Sequence, residues 1–288
     1  MKVSPLRQRM LDTLVLRGCS ASTIKSYVYA VEQLCRYYHR SPELITPEDI
    51  QAWLLWLLKA RGVSASTCRQ YFNGVRFLYA FVLEDVAFSD YRFTLPKGQQ
   101  RLPDLLTRQD VQRLTRQPSH PKYRLLLLSA YGCGLRVSEL VHIRLSEIDG
   151  ERQLLHVVQG KGGKDRYVPI PESLLQQWRE YWQQYRPNLW LFPGQEGNAL
   201  SITTVQKCYR ASKKTADIGK QGGVHSLRHA FATHSLQAGM PIHQLQRILG
   251  HSHLSTTSRY THWLADSPGD SPVVDLVKGL HFNQSCSD

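Results

Sequence analysis

The sequence predicts a mainly α-helical protein with a small β-hairpin or sheet, organised in two domains. Three observations lead to this fold class. Apolar residues in the first ninety positions recur at helical spacing behind clear start signals. Residues 93–104 are polar and basic and contain Pro96 and Pro103, which deny a regular helix. Two strand-like segments farther on flank a stretch rich in glycine and lysine, as in a hairpin.

The front domain, residues 1–92, is expected to contain four helices. They are predicted to start near Leu6, near Ser20, at Thr46, and at either Ser64 or Ser66. The third start is the clearest, because Pro47 fits the first turn and the carboxylate of Asp49 can bond back to the Thr46 cap. The helical pattern of this half includes no convincing strand.

After the predicted linker at 93–104, residues 105–265 form the second domain and residues 266–288 a tail. A capping signal at Thr107 and Asp110 opens this domain. Helices are predicted over 123–130, 172–185, 202–217, 226–238 and 242–249, and strands over 153–158 and 166–170. The tail contains an apolar stripe, which packs either on its own domain or on a neighbouring subunit.

The composition favours a soluble cytoplasmic protein that binds a polyanion. Lysine and arginine total 36 against 23 acidic residues, for a net charge of +13, which suits nucleic acid but does not by itself identify it. The six scattered cysteines form no C-x-x-C pair and are expected as free thiols. The apolar runs are far shorter than the roughly 20 residues of a membrane span, so no membrane partner is expected.

Five short motifs follow one another in the second domain. In chain order they contain Gly134, Leu135, Arg136 and Glu139; then Gly160, Lys161, Gly162, Lys164 and Arg166; then His225, Leu227, Arg228 and His229; then Leu249, Gly250 and His251; and last Tyr260. An enzyme that cuts a phosphodiester without a metal needs fixed cations and donors around one nucleophile. Arginine suits the first task because its planar guanidinium meets phosphate oxygens in a bidentate fork.

In this order the motifs resemble those of the tyrosine recombinases, the phage-type integrase family. The resemblance covers nearly the whole chain. It implies a two-domain clamp around DNA, with a helical, SAM-like core-binding domain in front of a mixed α/β catalytic domain. No cofactor is implied.

The resemblance also assigns roles to the motif residues. Arg136 and Arg228 would grip the scissile phosphate, and Glu139 would support them by holding a guanidinium in place. Tyr260 would attack phosphorus and keep the strand end as a 3′-phosphotyrosine. Because a phenol with a pKa near 10 is a poor nucleophile at neutral pH, His225 would help to take its proton.

Two further residues complete the predicted catalytic set. Lys161, at the tip of the hairpin, would protonate the departing 5′ oxygen, and the family pattern favours it over Lys164. His251 would donate a hydrogen bond to the phosphate. Residues expected to contact DNA outside this set are Lys25, Arg36, Arg69, Arg76, Lys164 and Arg166.

Two other classes of function remain as alternatives. His225 and His229 are four residues apart and His234 follows, a spacing that can bring imidazoles together around zinc. No glutamate stands between them as a base, so His229 and His234 are expected to be structural, with His229 bonding a carbonyl near the active site. A relative that binds DNA without cutting it is the other alternative, although every expected active-site position is filled.

The resulting hypothesis is a metal- and ATP-independent recombinase that cuts one strand from each of two duplexes and exchanges them through a Holliday junction. The family pattern implies a homotetramer on two double-stranded DNA sites, each with paired inverted-repeat half-sites. A mobile-element integrase is the favoured biological role, and a resolvase of chromosome dimers, like the Xer recombinases, is the alternative.

Overall fold

The computed structural model of the chain describes residues 4–98, 104–158, 165–263 and 276–278. The chain divides into two compact units, Met1–Arg101 and Leu102–Asp288, each with an apolar core of its own. Within the described ranges, none of the helices combines the length and the apolar composition that crossing a bilayer requires.

The first unit is helical, as predicted. Its helices are α1 Pro5–Leu16, α2 Ala21–Tyr38, α3 Pro47–Lys59, α4 Ala65–Leu78 and α5 Val86–Asp90, with a π-helical turn at Tyr79–Leu83 between the last two. The Thr46 hydroxyl accepts from the Asp49 N–H at 3.2 Å and the Asp49 carboxylate accepts from the Thr46 N–H at 3.3 Å, which confirms the capping box. Ser64, rather than Ser66, caps α4.

The first part of the predicted linker packs on this helical unit. The side-chain amide of Gln51 donates to the Thr94 carbonyl at 3.1 Å, and its oxygen accepts from the Thr94 N–H at 2.8 Å. Phe93 and Leu95 pack against the helical core. Two apolar side chains therefore anchor the first part of the segment that its composition identified as a linker. Residues 99–103 lie outside the described part of the chain.

The second unit combines helices with one small sheet. Its helices are α6 Arg108–Arg116, α7 Pro121–Gly132, α8 Val137–Val141, α9 Glu172–Tyr185, α10 Ile202–Thr215, α11 His225–Gln237, α12 Ile242–Leu249 and α13 Leu254–Thr257, followed by a 3-10 segment at Ser258–Trp263. The predicted helices are all present, and Thr107 and Asp110 form the expected capping box. The short α13 and the 3-10 segment have no counterpart in the sequence prediction.

The sheet contains three antiparallel strands in the order β1 Ile148–Asp149, β2 Leu154–Val157 and β3 Arg166–Pro169. Val157 lies opposite Arg166, so β2 and β3 form the predicted hairpin. The two-residue β1 was not predicted, because so short a segment carries no periodicity. The hairpin tip at 159–164, with Lys161 and Lys164, lies outside the described residues.

Three residues of the tail are described, and they pack on their own unit. Leu276 and Val277 are buried in the core of the second unit. A Cβ placed on Gly132 would come within 2.6 Å of a Val277 methyl group, so α7 and the tail are in close contact. These residues contact their own domain, and docking of the tail on a neighbouring subunit stays a prediction.

Candidate active site

One buried carboxylate, that of Glu139, lies among three arginines. Arg136, which caps α8, donates to it through its backbone N–H at 2.8 Å and through Nη1 at 2.6 Å. Arg166 on β3 donates from Nη1 and Nη2, each at 2.8 Å, in the bidentate arrangement. Nη1 of Arg228 lies 4.0 Å from the same carboxylate. Three positive groups therefore face one negative group.

Glu139 stays ionised in this setting. Its burial alone would raise the pKa of the carboxyl group, but the hydrogen bonds and charge of Arg166, followed by those of Arg136, outweigh burial and lower it to about 2. The carboxylate therefore balances one cation and orients two guanidinium groups, which agrees with a supporting role.

Two glycines beside the arginine cluster lie where a side chain would not fit. Gly134 has a φ of +58°, and a Cβ there would collide with the ring of Phe231 on α11. Gly250, which ends α12, has a φ of +62°, and a Cβ there would lie 2.9 Å from Cδ of Arg166. Both positions favour glycine for a steric and a conformational reason. The Gly250 carbonyl in turn accepts from Nη2 of Arg136 at 3.1 Å.

Arg228 is the most deeply buried of the three cations. Its side chain is 6% exposed. Nη1 donates to the Gly134 carbonyl at 2.7 Å, and Nη2 donates to the Leu249 carbonyl and to Nε2 of His251, the latter at 3.2 Å. Burial, followed by the charge of Arg136, lowers the pKa of Arg228 to about 10, so it remains a cation at neutral pH.

His251 is neutral at pH 7 and bonded within the protein through both ring nitrogens. Burial and the nearby charges of Arg228 and Arg136 lower its pKa to about 4. Because Nε2 accepts from Arg228, Nδ1 carries the proton and donates to the Thr257 hydroxyl at 2.9 Å. Thr257 was not anticipated as a partner. A hydrogen bond from His251 to phosphate, as the resemblance implies, would require one of these contacts to be exchanged.

The 3-10 segment after α13 places Tyr260 beside α11. The residue is 6% exposed, and its hydroxyl lies 2.7 Å from Nδ1 of His229. If it ionised, Tyr260 would raise the pKa of Arg228. The hydrogen bond described for the phenol therefore goes to His229, not to His225, and His229 does not take the carbonyl partner that the sequence suggested.

His225 begins α11 and is exposed. Partial burial of its ring, together with the charges of Arg228 and Arg136, lowers its pKa. The residue is thus a neutral imidazole at the open side of the arginine cluster. Its predicted part in proton transfer stays a prediction.

The DNA contact predicted for Arg166 is not supported by the geometry. Its side chain is 9% exposed, and besides the two bonds to Glu139 it donates from Nε to the Ile248 carbonyl at 2.7 Å. The guanidinium holds β3, α8 and α12 together. The sequence could not show this, because the partners lie 27 and 82 residues away.

The basic residues predicted to touch DNA in the first unit are exposed. They are Lys25 and Arg36 on α2 and Arg69 and Arg76 on α4. Within each helix the two residues are 11 or 7 positions apart, and at 3.6 residues per turn each pair shares one helical face. Arg69 also donates to the Pro96 carbonyl. Contact of these four residues with DNA stays a prediction.

The histidine spacing that suggested zinc serves another purpose. Nδ1 of His234 lies 2.9 Å from the hydroxyl of the buried Tyr131, just as His229 pairs with Tyr260. Within the ranges that the structure covers, no three histidine, cysteine or acidic side chains come together as a metal site requires.

Known proteins share both the sequence and the architecture of this chain. Residues 104–266 match the phage integrase family, and residues 6–87 match the phage integrase N-terminal SAM-like domain. The putative integrase/recombinase y4qK of Sinorhizobium fredii is 34% identical over 259 residues, covering 90% of this chain and 84% of that protein. The tyrosine recombinase XerA of Thermococcus kodakarensis is 35% identical over 253 residues, with 86% and 87% covered.

A solved structure shares the fold. The lambda integrase dimer bound to a COC′ core site superimposes with a TM-score of 0.74 at 18% identity, over 95% of this chain and all of that one. The match supports the predicted fold class.

Proposed function

Since the chain belongs to the phage integrase family of tyrosine recombinases and is a site-specific recombinase, we propose that Tyr260 is the nucleophile that cleaves DNA. The scissile phosphate would bind at the cluster formed by Arg136, Arg228 and Glu139. The partner is DNA. The solved relatives include lambda integrase on its core site, and the net charge of +13 suits the same ligand.

One observation carries the proposal. Three guanidinium groups surround a single carboxylate, so two positive charges are in excess. Tyr260 bonds His229, the residue after Arg228 on α11. In a poorly solvated site, such fixed cations stabilise a developing phosphorane far better than they would in water.

The chemistry follows from these groups. The Tyr260 oxygen attacks phosphorus, a tyrosine–phosphorus bond forms, and the bond from phosphorus to the 5′ oxygen breaks. Arg136 and Arg228 hold the non-bridging oxygens, and Lys161 protonates the released 5′ oxygen. Attack by a 5′ hydroxyl of another strand reverses the step and reseals the DNA. The phosphotyrosine ester conserves the energy of the broken bond, so no ATP is needed. The arginines supply the charge stabilisation that a metal would otherwise give.

The assembly and the biological role are also proposals. A homotetramer on two sites with inverted-repeat half-sites would exchange strands pairwise through a Holliday junction. The likeness to a putative integrase/recombinase favours a mobile element, while the XerA relative keeps resolution of chromosome dimers as the alternative. Plasmids carrying one or two copies of the site distinguish insertion from resolution of dimers.

The decisive experiment uses a suicide duplex that carries a site selected from random DNA by the purified protein. Cleavage is followed as a covalent protein–DNA product in the presence of EDTA. We expect the wild-type chain to form this product and Tyr260→Phe to form none while still binding the duplex.

Tyr131→Phe is the matched control, because it also removes a buried tyrosine hydroxyl that is bonded to a histidine of α11. It should cleave at nearly the wild-type rate per folded molecule. Specific binding by the wild type without any covalent product would overturn the proposal in favour of a non-cleaving DNA-binding protein.

A further inference from the structure

His251 and Thr257 form a hydrogen-bonded pair shortly before the proposed nucleophile in the chain. Nδ1 of His251 lies 2.9 Å from the Thr257 hydroxyl, and Thr257 is fully buried on α13, three residues before Tyr260. We propose that Thr257 is a positioning residue, whose hydroxyl holds the ring of His251 in place before and after Nε2 exchanges Arg228 for the scissile phosphate. This inference rests on the proposed function and deepens it by one residue that acts through His251.

The chemistry of arginine fixes the direction of both hydrogen bonds of the His251 ring. A guanidinium has only donors, so Nη2 of Arg228 donates across 3.2 Å and Nε2 of His251 carries the lone pair. The ring is neutral at pH 7, since burial and the charges of Arg228 and Arg136 lower its pKa to about 4. A neutral imidazole holds one proton, which is therefore on Nδ1 and is donated to the Thr257 hydroxyl.

A contact with phosphate requires the opposite tautomer of His251. The oxygens of a phosphodiester accept hydrogen bonds, so Nε2 has to carry a proton in order to bond one of them. When the scissile phosphate takes the Nη2 donor of Arg228, Nε2 gains a proton from water and Nδ1 loses one to water, so the charge of the ring is unchanged. A lone pair on Nδ1 then faces Thr257. The hydroxyl rotates and donates to it, because threonine is both a donor and an acceptor.

The burial of Thr257 makes its hydroxyl hard to replace. Solvent does not reach the residue, so water does not take over the contact when the hydroxyl is removed. An apolar side chain at this position would leave Nδ1 of His251 without a partner in either tautomer, and an unpaired polar group is costly in a buried setting. The contact also ties His251 to the segment that carries Tyr260, since α13 leads directly into the 3-10 segment at Ser258–Trp263.

Two other threonines provide matched controls. Thr115 is also buried, and its hydroxyl donates to the Val111 carbonyl at 2.9 Å within α6. Thr256 precedes Thr257 on α13 and is exposed. Thr115→Val therefore removes a buried, bonded hydroxyl on another helix, and Thr256→Val places the same new side chain on α13. Neither change should alter cleavage per folded molecule.

The first measurement is single-turnover cleavage of the suicide duplex, at protein concentrations that saturate the DNA. Thr257→Val keeps the shape of the side chain but can neither donate nor accept a hydrogen bond. We expect it to slow cleavage by roughly 10 to 100-fold. Thr257→Ser keeps the hydroxyl and should recover most of the rate that the valine variant loses. An equally slow serine variant would overturn the inference, because the missing methyl group would then be the cause.

A double-mutant cycle tests whether Thr257 acts through His251. His251→Ala removes the imidazole, and we expect this change alone to slow cleavage by roughly 10²-fold. Adding Thr257→Val to that variant should cause no further loss, because the hydroxyl then has no ring to hold. Losses that multiply would show instead that Thr257 supports α13 independently of His251, and they would overturn the inference.

Nitrogen NMR of isotope-labelled histidine tests the arrangement without cleavage. In the free wild-type protein, the signals that His251→Ala removes should show a protonated Nδ1, and a protonated Nε2 would overturn the inference. Absence of covalent product from the wild type would overturn the proposed function and this inference together. Wild-type cleavage with an unimpaired Thr257→Val would overturn this inference alone.

Discussion

Two buried carboxylates, Asp110 and Glu139, have closely similar local structures. Each is the third residue of a helix and accepts the backbone N–H of the residue before that helix. Their side chains are 8% and 7% exposed. For both, burial opposes ionisation, but hydrogen bonds from cations outweigh it and lower the pKa. Local sequence and local electrostatics do not distinguish them.

The cations around the two carboxylates distinguish them. Asp110 is bonded by Lys220 at 2.6 Å and by Arg113 at 2.8 Å, whose side chains are 33% and 54% exposed. The arginines around Glu139 are only 6 to 18% exposed. Water screens the positive charges beside Asp110. The three arginines beside Glu139 carry more positive charge than one carboxylate can balance, and water screens that charge poorly. An excess of buried positive charge, not the buried acid itself, therefore distinguishes the proposed phosphate site.

The largest expected effect comes from the cations. Arg228→Lys keeps a charge but loses the planar fork that reaches the Gly134 and Leu249 carbonyls. We expect cleavage to fall by roughly 10² to 10³-fold, measured as single-turnover formation of covalent product. Lys220→Met, the matched change beside Asp110, should leave cleavage per folded molecule nearly unchanged. An equal loss in both variants would remove the distinction between the two clusters.

The carboxylates themselves should separate activity from stability. Glu139→Gln leaves Arg136 and Arg166 without their ionic partner, so cleavage should fall by roughly 10 to 100-fold. Asp110→Asn should not change it. Urea unfolding should show that both variants are destabilised, Glu139→Gln by on the order of 3 kcal/mol because its ion pairs are buried. The loss should be smaller for Asp110→Asn, because water solvates Lys220 and Arg113. Cleavage lost equally in Asp110→Asn would contradict the assignment of Glu139 to the site.

The smallest effect is the dependence of stability on pH, and here the two acids should behave alike. Both have a lowered pKa in the folded protein, so each stabilises the fold fully above its unfolded pKa near 4 and loses that contribution as the pH falls, for Glu139 through about 2. Between pH 5 and pH 3 each neutral variant should flatten the decline in unfolding free energy by up to about 1.4 kcal/mol per pH unit. A flattening in only one variant would show that the two acids are not electrostatically equivalent.

Local signals in the sequence predicted most of the fold. The capping boxes at Thr46 and Thr107 form as expected because every atom involved lies within four residues. The helices at 172–185 and 242–249 match the observed bounds. The 3-10 segment that carries Tyr260 was missed, because a six-residue turn without a strong cap shows no helical period.

The partners inside the site could not be predicted in the same way. The motifs brought Arg136, Arg228, Glu139 and Tyr260 to attention. The structure places the two arginines at Glu139 and Tyr260 beside His229, on the same helix as Arg228. Yet Arg166 was taken for a DNA contact and His229 for a structural residue. Their partners, Glu139 and Tyr260, lie 27 and 31 residues away along the chain, and such a distance leaves no periodic signal.

The sequence by itself determined the helical class, the division into two domains and the family, because caps, apolar periodicity and ordered motifs are properties of short stretches of chain. Tertiary structure alone decided which charged groups are buried from solvent and which histidine bonds the Tyr260 hydroxyl. Burial and hydrogen bonding between distant segments set the charge state and the orientation of a side chain, and these depend on how α8, β3, α11 and α12 pack around Glu139.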